Sequence, residues 1–245
     1  MDDEALIEGC PRLFHVTETG AWPSIRRRGL LSTSALLDLF SLPEPLRSQI
    51  EAQPRLRDAV LEDPHVGRVV IRDNRPLRPH ILRSCLKGSV SDWCRLLNAR
   101  VFFWANERRL RNHLRARGHR GQARDILVVD TRRLLARHRD SISLCAFNSG
   151  SALYPNAPRR GAHSFLPVDV YPFDRYRVRQ GASEAVAEVC VAHGLIDIEA
   201  VVSTVHAVAC DGNMRMIWSS DSRICHQQLH DSSDGADSST LDFAR

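Results

Sequence analysis

The chain has 245 residues, of which 43% are apolar, 26% charged and 6% aromatic. This ordinary globular composition excludes collagen, coiled coil and wholesale disorder, and a chain of this length can bury roughly 70–75% of its unfolded surface without staples. No apolar run approaches the roughly 20 residues that span a bilayer, and Met1-Asp2-Asp3-Glu4 is acidic where an export signal is basic, so a cytoplasmic protein with no membrane partner is expected.

The formal net charge is +5, and Lys87 is the single lysine. Between Arg100 and Arg139 twelve arginines stand against Glu107, Asp125 and Asp130, a local net of +9, whereas residues 219–245 carry −3. Such a basic stripe suits a phosphate-bearing partner, DNA or RNA. A solvated helix face in an arginine-rich proteome is the alternative. The seven cysteines, Cys10, Cys85, Cys94, Cys145, Cys190, Cys210 and Cys225, are odd in number and widely spaced. They read as reduced, mostly buried thiols. No CxxC occurs, and the Cys190–His193 and Cys225–His226 pairs lack the other half of a zinc site, so no metal is expected.

In chain order, residues 12–17 predict a strand and Ala21 to Arg28 a helix with Trp22 and Ile25 on one face, stopped by Gly29. Residues 33–63 read as two or three short helices broken at Pro43, Pro45 and Pro54. Val69 to Ile71 is a brief strand and Asp92 to Asn98 a helix. Val101-Phe102-Phe103-Trp104 is apolar enough for a core strand. Glu107 to Arg117 is an amphipathic helix that turns Leu110 and Leu114 inward. A strand over 125–129 leads into a helix over 131–137 capped near Asp130, and 141–145 is a strand. Residues 148–163, rich in Asn, Ser, Gly and Pro, predict a long loop. Strands follow at 185–191, 201–209 and 214–218, and a disordered polar tail from Ser219. The expectation is one α+β domain over 1–218, with helices concentrated in the N-terminal half. No GxGxxG or GxxxxGK[ST] appears, which argues against Rossmann and P-loop nucleotide sites.

Four segments could carry chemistry. His15 and Thr17, two apart on a strand, project from one face and offer an imidazole and a hydroxyl to one ligand; a structural histidine is the alternative. Arg72 follows a short strand, where it could meet a diphosphate or form a surface ion pair. Phe102 and Trp104 could flank a flat ring or be plain core. Glu188 lies in the apolar run Ala187-Glu188-Val189-Cys190-Val191, where a carboxylate is costly unless it faces a cleft or a partner. An edge-strand position facing solvent is the other reading. Asn148-Ser149-Gly150-Ser151 lacks the glycines of a nucleophile elbow, so serine hydrolysis is disfavoured.

In this order, Leu13-Phe14-His15-Val16-Thr17, Trp22-Pro23-Ser24-Ile25, Gly29-Leu30-Leu31, Arg72, Val101-Phe102-Phe103-Trp104 and Ala187-Glu188-Val189 with Ile196-Asp197-Ile198 resemble the ADP-ribosyltransferase superfamily. The DarT-like branch, which modifies DNA bases, and related bacterial proteins are the nearest likeness, over about residues 12–210. The aromatic strand departs from that branch's pattern. The second arginine often found near the first is replaced by Asp73, with Arg75 the nearest substitute. The resemblance implies a split β-sheet core and NAD as co-substrate. Glu188 would stabilise the oxocarbenium-like ribose, and act as base toward the acceptor, once the nicotinamide bond breaks. His15 and Thr17 would hold the adenine-side ribose, Arg72 the diphosphate, and Phe102 or Trp104 the nicotinamide. The Arg100–Arg139 stripe would hold a DNA or RNA acceptor. An NAD glycohydrolase, an RNA 2′-phosphotransferase and a non-catalytic nucleic-acid-binding module remain as alternatives.

Overall fold

The computed structural model describes residues 1–116 and 118–221. The expected tail lies outside the described residues, except for its first three positions.

In chain order the helices are α1 (Asp3–Gly9), α2 (Trp22–Arg28), α3 (Thr33–Leu39), α4 (Leu46–Glu51), α5 (Pro79–Cys85), α6 (Val90–Asn98), α7 (Glu107–Arg115), α8 (Thr131–His138) and α9 (Phe173–Gln180). The strands are β1 (Arg12–Glu18), β2 (Leu30–Leu31), β3 (Ala59–Asp63), β4 (Gly67–Ile71), β5 (Arg100–Trp104), β6 (Arg124–Asp130), β7 (Ile142–Cys145), β8 (Leu166–Pro167), β9 (Glu188–Ala192), β10 (Gly194–Leu195), β11 (Val202–Val208) and β12 (Met214–Ser219). Eight of them form one sheet in the order β12-β11-β6-β1-β5-β9-β7-β8, with every pair antiparallel. The α+β class is therefore as expected. Helices do gather early, since α1 to α7 precede residue 116, but strands run through both halves.

Alternation along the strands separates two layers. On one face Leu13, Phe103, Leu127, Val129, Leu144 and Val189 pack against Leu6 of α1, Trp22 of α2 and Leu134 of α8. On the other, Phe14, Trp104, Ile126 and Val128 meet Leu110 of α7, while Phe102, Cys145 and Cys190 meet Leu82 of α5 and Trp93 of α6. Val101 and Phe103 are buried, as the apolar run 101–104 predicts, while Phe102 and Trp104 are half-buried on the second face.

Two expectations need correction, and one helix, α5, was not predicted. Residues 59–63 are a strand, not helix: β3 pairs with β4 through a turn at Gly67, whose φ of +87° suits glycine. α5 begins at Pro79, and a proline in the first turn starts a helix as readily as it breaks one. β9 begins at Glu188 rather than 185, because Ala182 to Glu184 form a 3-10 turn ahead of it. Gly29 does end α2, and it must be glycine: φ is +88°, and a Cβ there would lie 2.6 Å from the backbone of Ile196 and Leu195.

Candidate active site

The sheet is continuous except between β1 and β5. β1 pairs with β6 from Arg12 to Glu18, but with β5 only through Phe14 and Trp104. β5 pairs with β9 along its whole length, with Trp104 opposite Glu188 and Phe102 opposite Cys190. Beyond Phe14 the two strands part, and His15 fills the notch: its Nδ1 lies 2.9 Å from the Phe102 carbonyl oxygen. Burial holds its imidazole below the usual histidine range, against that hydrogen bond.

Glu188 is buried at 4% exposure. Its carboxylate accepts the Ser149 backbone N–H at 3.2 and 3.1 Å. Burial pushes its pKa to about 7, opposed by Ser149 and by the charges of Arg109 and Arg160. The predicted loop after β7 is thus a strap across the acid. It is tethered by parallel bridges of Ala152 to Leu77 and Arg160 to Leu86. Arg160, fully buried, donates to the carbonyls of Ser149, Ser151 and Pro158 at 2.9–3.2 Å and lies over the rings of Phe147 and Trp93. The Ser149 hydroxyl and Arg160 Nη2 are buried without a well-formed hydrogen bond. Sequence reading met Ser149 only in the disfavoured nucleophile motif and did not name Arg160; the polar loop composition was the available signal.

Register decides which candidates share a face. Phe14, Trp104 and Glu188 form one row across β1, β5 and β9, and their side chains point the same way. Two and four residues further along β1, Val16 and Glu18 point that way too, with Glu18 opposite Arg124. Arg72 reaches this face by donating to the Glu18 carboxylate at 2.6 Å. His113 of α7 packs on Trp104 with ring centroids 5.3 Å apart and on His119 at 4.1 Å. Its pKa is driven to about 3 by burial and by nearby His119, Arg124, His15 and Arg72. The structure therefore brings Glu188, Trp104, Phe102 and Arg72 onto one face. His15 and Thr17 belong to the opposite face, with Leu127 and Asp125, so they do not share a face with Glu188 as residues of one dinucleotide site would: strand alternation separates them, and His15 enters only through the notch. The 310 Å³ cavity beside Phe14, Asn106 and Glu184 does not include any of these candidates except as neighbours of Phe14.

The basic stripe is also dispersed. Arg108, Arg109, Arg111, Arg124, Arg132, Arg137 and Arg139 each pair with a carboxylate, on several different elements. Among the described residues no group of three His, Cys, Asp or Glu is placed to hold a metal ion, and no helix is long and apolar enough to cross a membrane.

Fold and site together define an antiparallel α+β protein with a buried acid beside a notched sheet. The chain belongs to DUF7002, a family of unknown function, whose family model matches residues 11–202. That span runs from the residue before β1 to the first residue of β11 and includes every candidate named above. No curated protein matches the chain.

Proposed function

We propose that this protein is an NAD-dependent ADP-ribosyltransferase. The observation that carries the reading is the common face of Glu188 and Trp104 with the Arg72–Glu18 pair, across a sheet that parts between β1 and β5. Strand spacing and rise put Glu188 and Glu18 roughly 17 Å apart along this face, a span an extended dinucleotide can follow. The parting of β1 from β5 supports this reading, for which the resemblance implies a split core.

In this reading Glu188 hydrogen-bonds the ribose 2′-hydroxyl of the nicotinamide half. The C–N bond to nicotinamide breaks, nicotinamide leaves with the bonding pair, and the carboxylate stabilises the cation developing on the ribose. The acceptor then bonds to that carbon and loses its proton to Glu188. Trp104 walls the nicotinamide side, and Arg72 grips the diphosphate with its fork. His15 contributes at the notch rather than beside the acid. The Ser149 strap must withdraw for the carboxylate to meet substrate. A nucleic-acid acceptor and a cytoplasmic location are part of the proposal; buried, unpaired Cys10, Cys85, Cys94, Cys145 and Cys190 support a reducing compartment.

The test is incubation with NAD labelled in its adenylate half, with DNA, RNA and cell protein supplied separately. Label on one acceptor, lost in Glu188→Gln by roughly 10²–10⁴-fold, is the expected result. Free ADP-ribose alone makes the protein a glycohydrolase. Unchanged NAD overturns the reading.

A further inference from the structure

The fold sets a second arginine beside Arg72 at the open end of β1. Arg124, the first residue of β6, stands opposite Glu18 of β1, and its Nη1 lies 3.5 Å from that carboxylate. Arg72 holds the same carboxylate at 2.6 Å. Both guanidiniums also donate to the Gln122 side-chain oxygen, Arg72 at 3.2 Å. Arg75, the nearest substitute in sequence, is bound to Asp73 at 2.6 Å.

Both guanidiniums therefore reach one carboxylate at the open end of the notch, Arg72 closely and Arg124 at longer range while its Nη1 also donates to the Ala123 carbonyl at 2.9 Å. The Arg124 side chain is only 8% exposed, whereas Glu18 and Arg72 are about one-third exposed. A buried guanidinium needs an anion with it, and Glu18 is an accessible one on a strand that has no β5 partner at this point. Asp58, 3.5 Å from Arg72, is the second acid of the cluster. It can keep Arg72 in place when Glu18 moves.

We propose that Arg72 and Arg124 form a diphosphate subsite whose resting occupant is the Glu18 carboxylate. The ligand displaces Glu18 and takes over both forks, since two guanidiniums offer more donors than one carboxylate can accept and a diphosphate has oxygens on two phosphorus centres to match. The choice of a dinucleotide diphosphate as the natural ligand rests on the transferase reading; the geometry of the subsite does not. Glu18 acts as an internal competitor, so its removal strengthens binding.

Calorimetric titration of the full chain with inorganic pyrophosphate and with ADP, at one ionic strength, tests this. Arg124→Gln is expected to weaken both ligands about tenfold, Arg124→Lys to restore only part of the loss, and Glu18→Gln to tighten both about three- to tenfold. Should Arg124→Gln fail to fold, Glu18→Gln decides alone. Binding that Glu18→Gln weakens or leaves unchanged overturns the proposal. So does a subsite that takes a single-stranded oligonucleotide but neither pyrophosphate nor ADP, which would make it a backbone contact. If NAD is never consumed yet Glu18→Gln tightens pyrophosphate, the subsite stands and the transferase reading falls. If NAD is consumed and pyrophosphate ignores both residues, the reverse holds.

Discussion

Trp104 and Glu188 stand directly opposite each other on β5 and β9, with their side chains on the same face of the sheet. The pairing puts a large aromatic ring beside a carboxylate that has lost nearly all its water. The strap at Ser149 closes the remaining side.

That burial has a thermodynamic signature. Glu188 keeps its proton to about pH 7, against an ordinary value of 4.5 for the unfolded chain. Its contribution to stability is thus fully present below about pH 4.5 and is lost as pH rises through 7, on the order of 3 kcal/mol in all. Glu188→Gln should flatten the fall in urea midpoint between pH 5 and pH 8. A variant with the same slope as the parent would show that the acid is not held protonated.

Arg160 pins the strap, so its loss should free Ser149 before it harms the sheet. Arg160→Met leaves the carbonyls of Ser149, Ser151 and Pro158 without their donor and should cost roughly 2–4 kcal/mol. Amide hydrogen exchange should quicken at Ser149 while the β1–β6 ladder keeps its protection. Uniform quickening would mean that the strap is no separate unit.

Glycine geometry gives a contrast free of any functional assumption. Gly29→Ala meets the Ile196 and Leu195 backbone at 2.6 Å as well as a φ of +88°, and should cost about 3 kcal/mol or more. Gly20→Ala has a φ of +76° and nothing within 4 Å, so about 1 kcal/mol is expected. Equal melting temperatures for the two variants would contradict the close approach of α2 to β10.

Ion pairing within the Arg100–Arg139 region bears on nucleic-acid binding. If its local net charge of +9 met phosphates directly, affinity for single strands would fall with a log–log salt slope near −6. With seven of the twelve arginines already paired, a shallower slope of about −3.5 or less is expected for single-stranded DNA. A measured slope near −6 would show that the internal pairs open to receive the strand.

Legibility followed local signal. β5 was readable from its continuous apolar run, and α7 from Leu110 and Leu114 at helical spacing; Val101, Phe103 and Leu110 are buried, and Leu114 packs partly buried in the same cluster as Leu110. α8 was readable from Asp130, whose side chain does accept the Arg133 N–H. α9 was not: among its residues Arg175, Arg177 and Val178 are exposed, so no apolar stripe marks it, although Gly181 with φ +85° ends it as glycine commonly does. β3 was missed because a five-residue edge hairpin with exposed Val60 carries little periodicity.

From the residues alone came the α+β class, the core strands and the anomaly of Glu188 in an apolar run. Those depend on composition and on periods of two and 3.6, which are properties of neighbouring residues. Which face each side chain shares was decided only in three dimensions. Register across β1, β5 and β9 joins Glu188 to Trp104 and sets His15 and Thr17 on the other face, while the β1–β6 register places Arg124 opposite Glu18, whose carboxylate Arg72 also holds across 54 positions of chain. A one-residue shift in any of those pairings would reverse the outcome, and no local pattern encodes it.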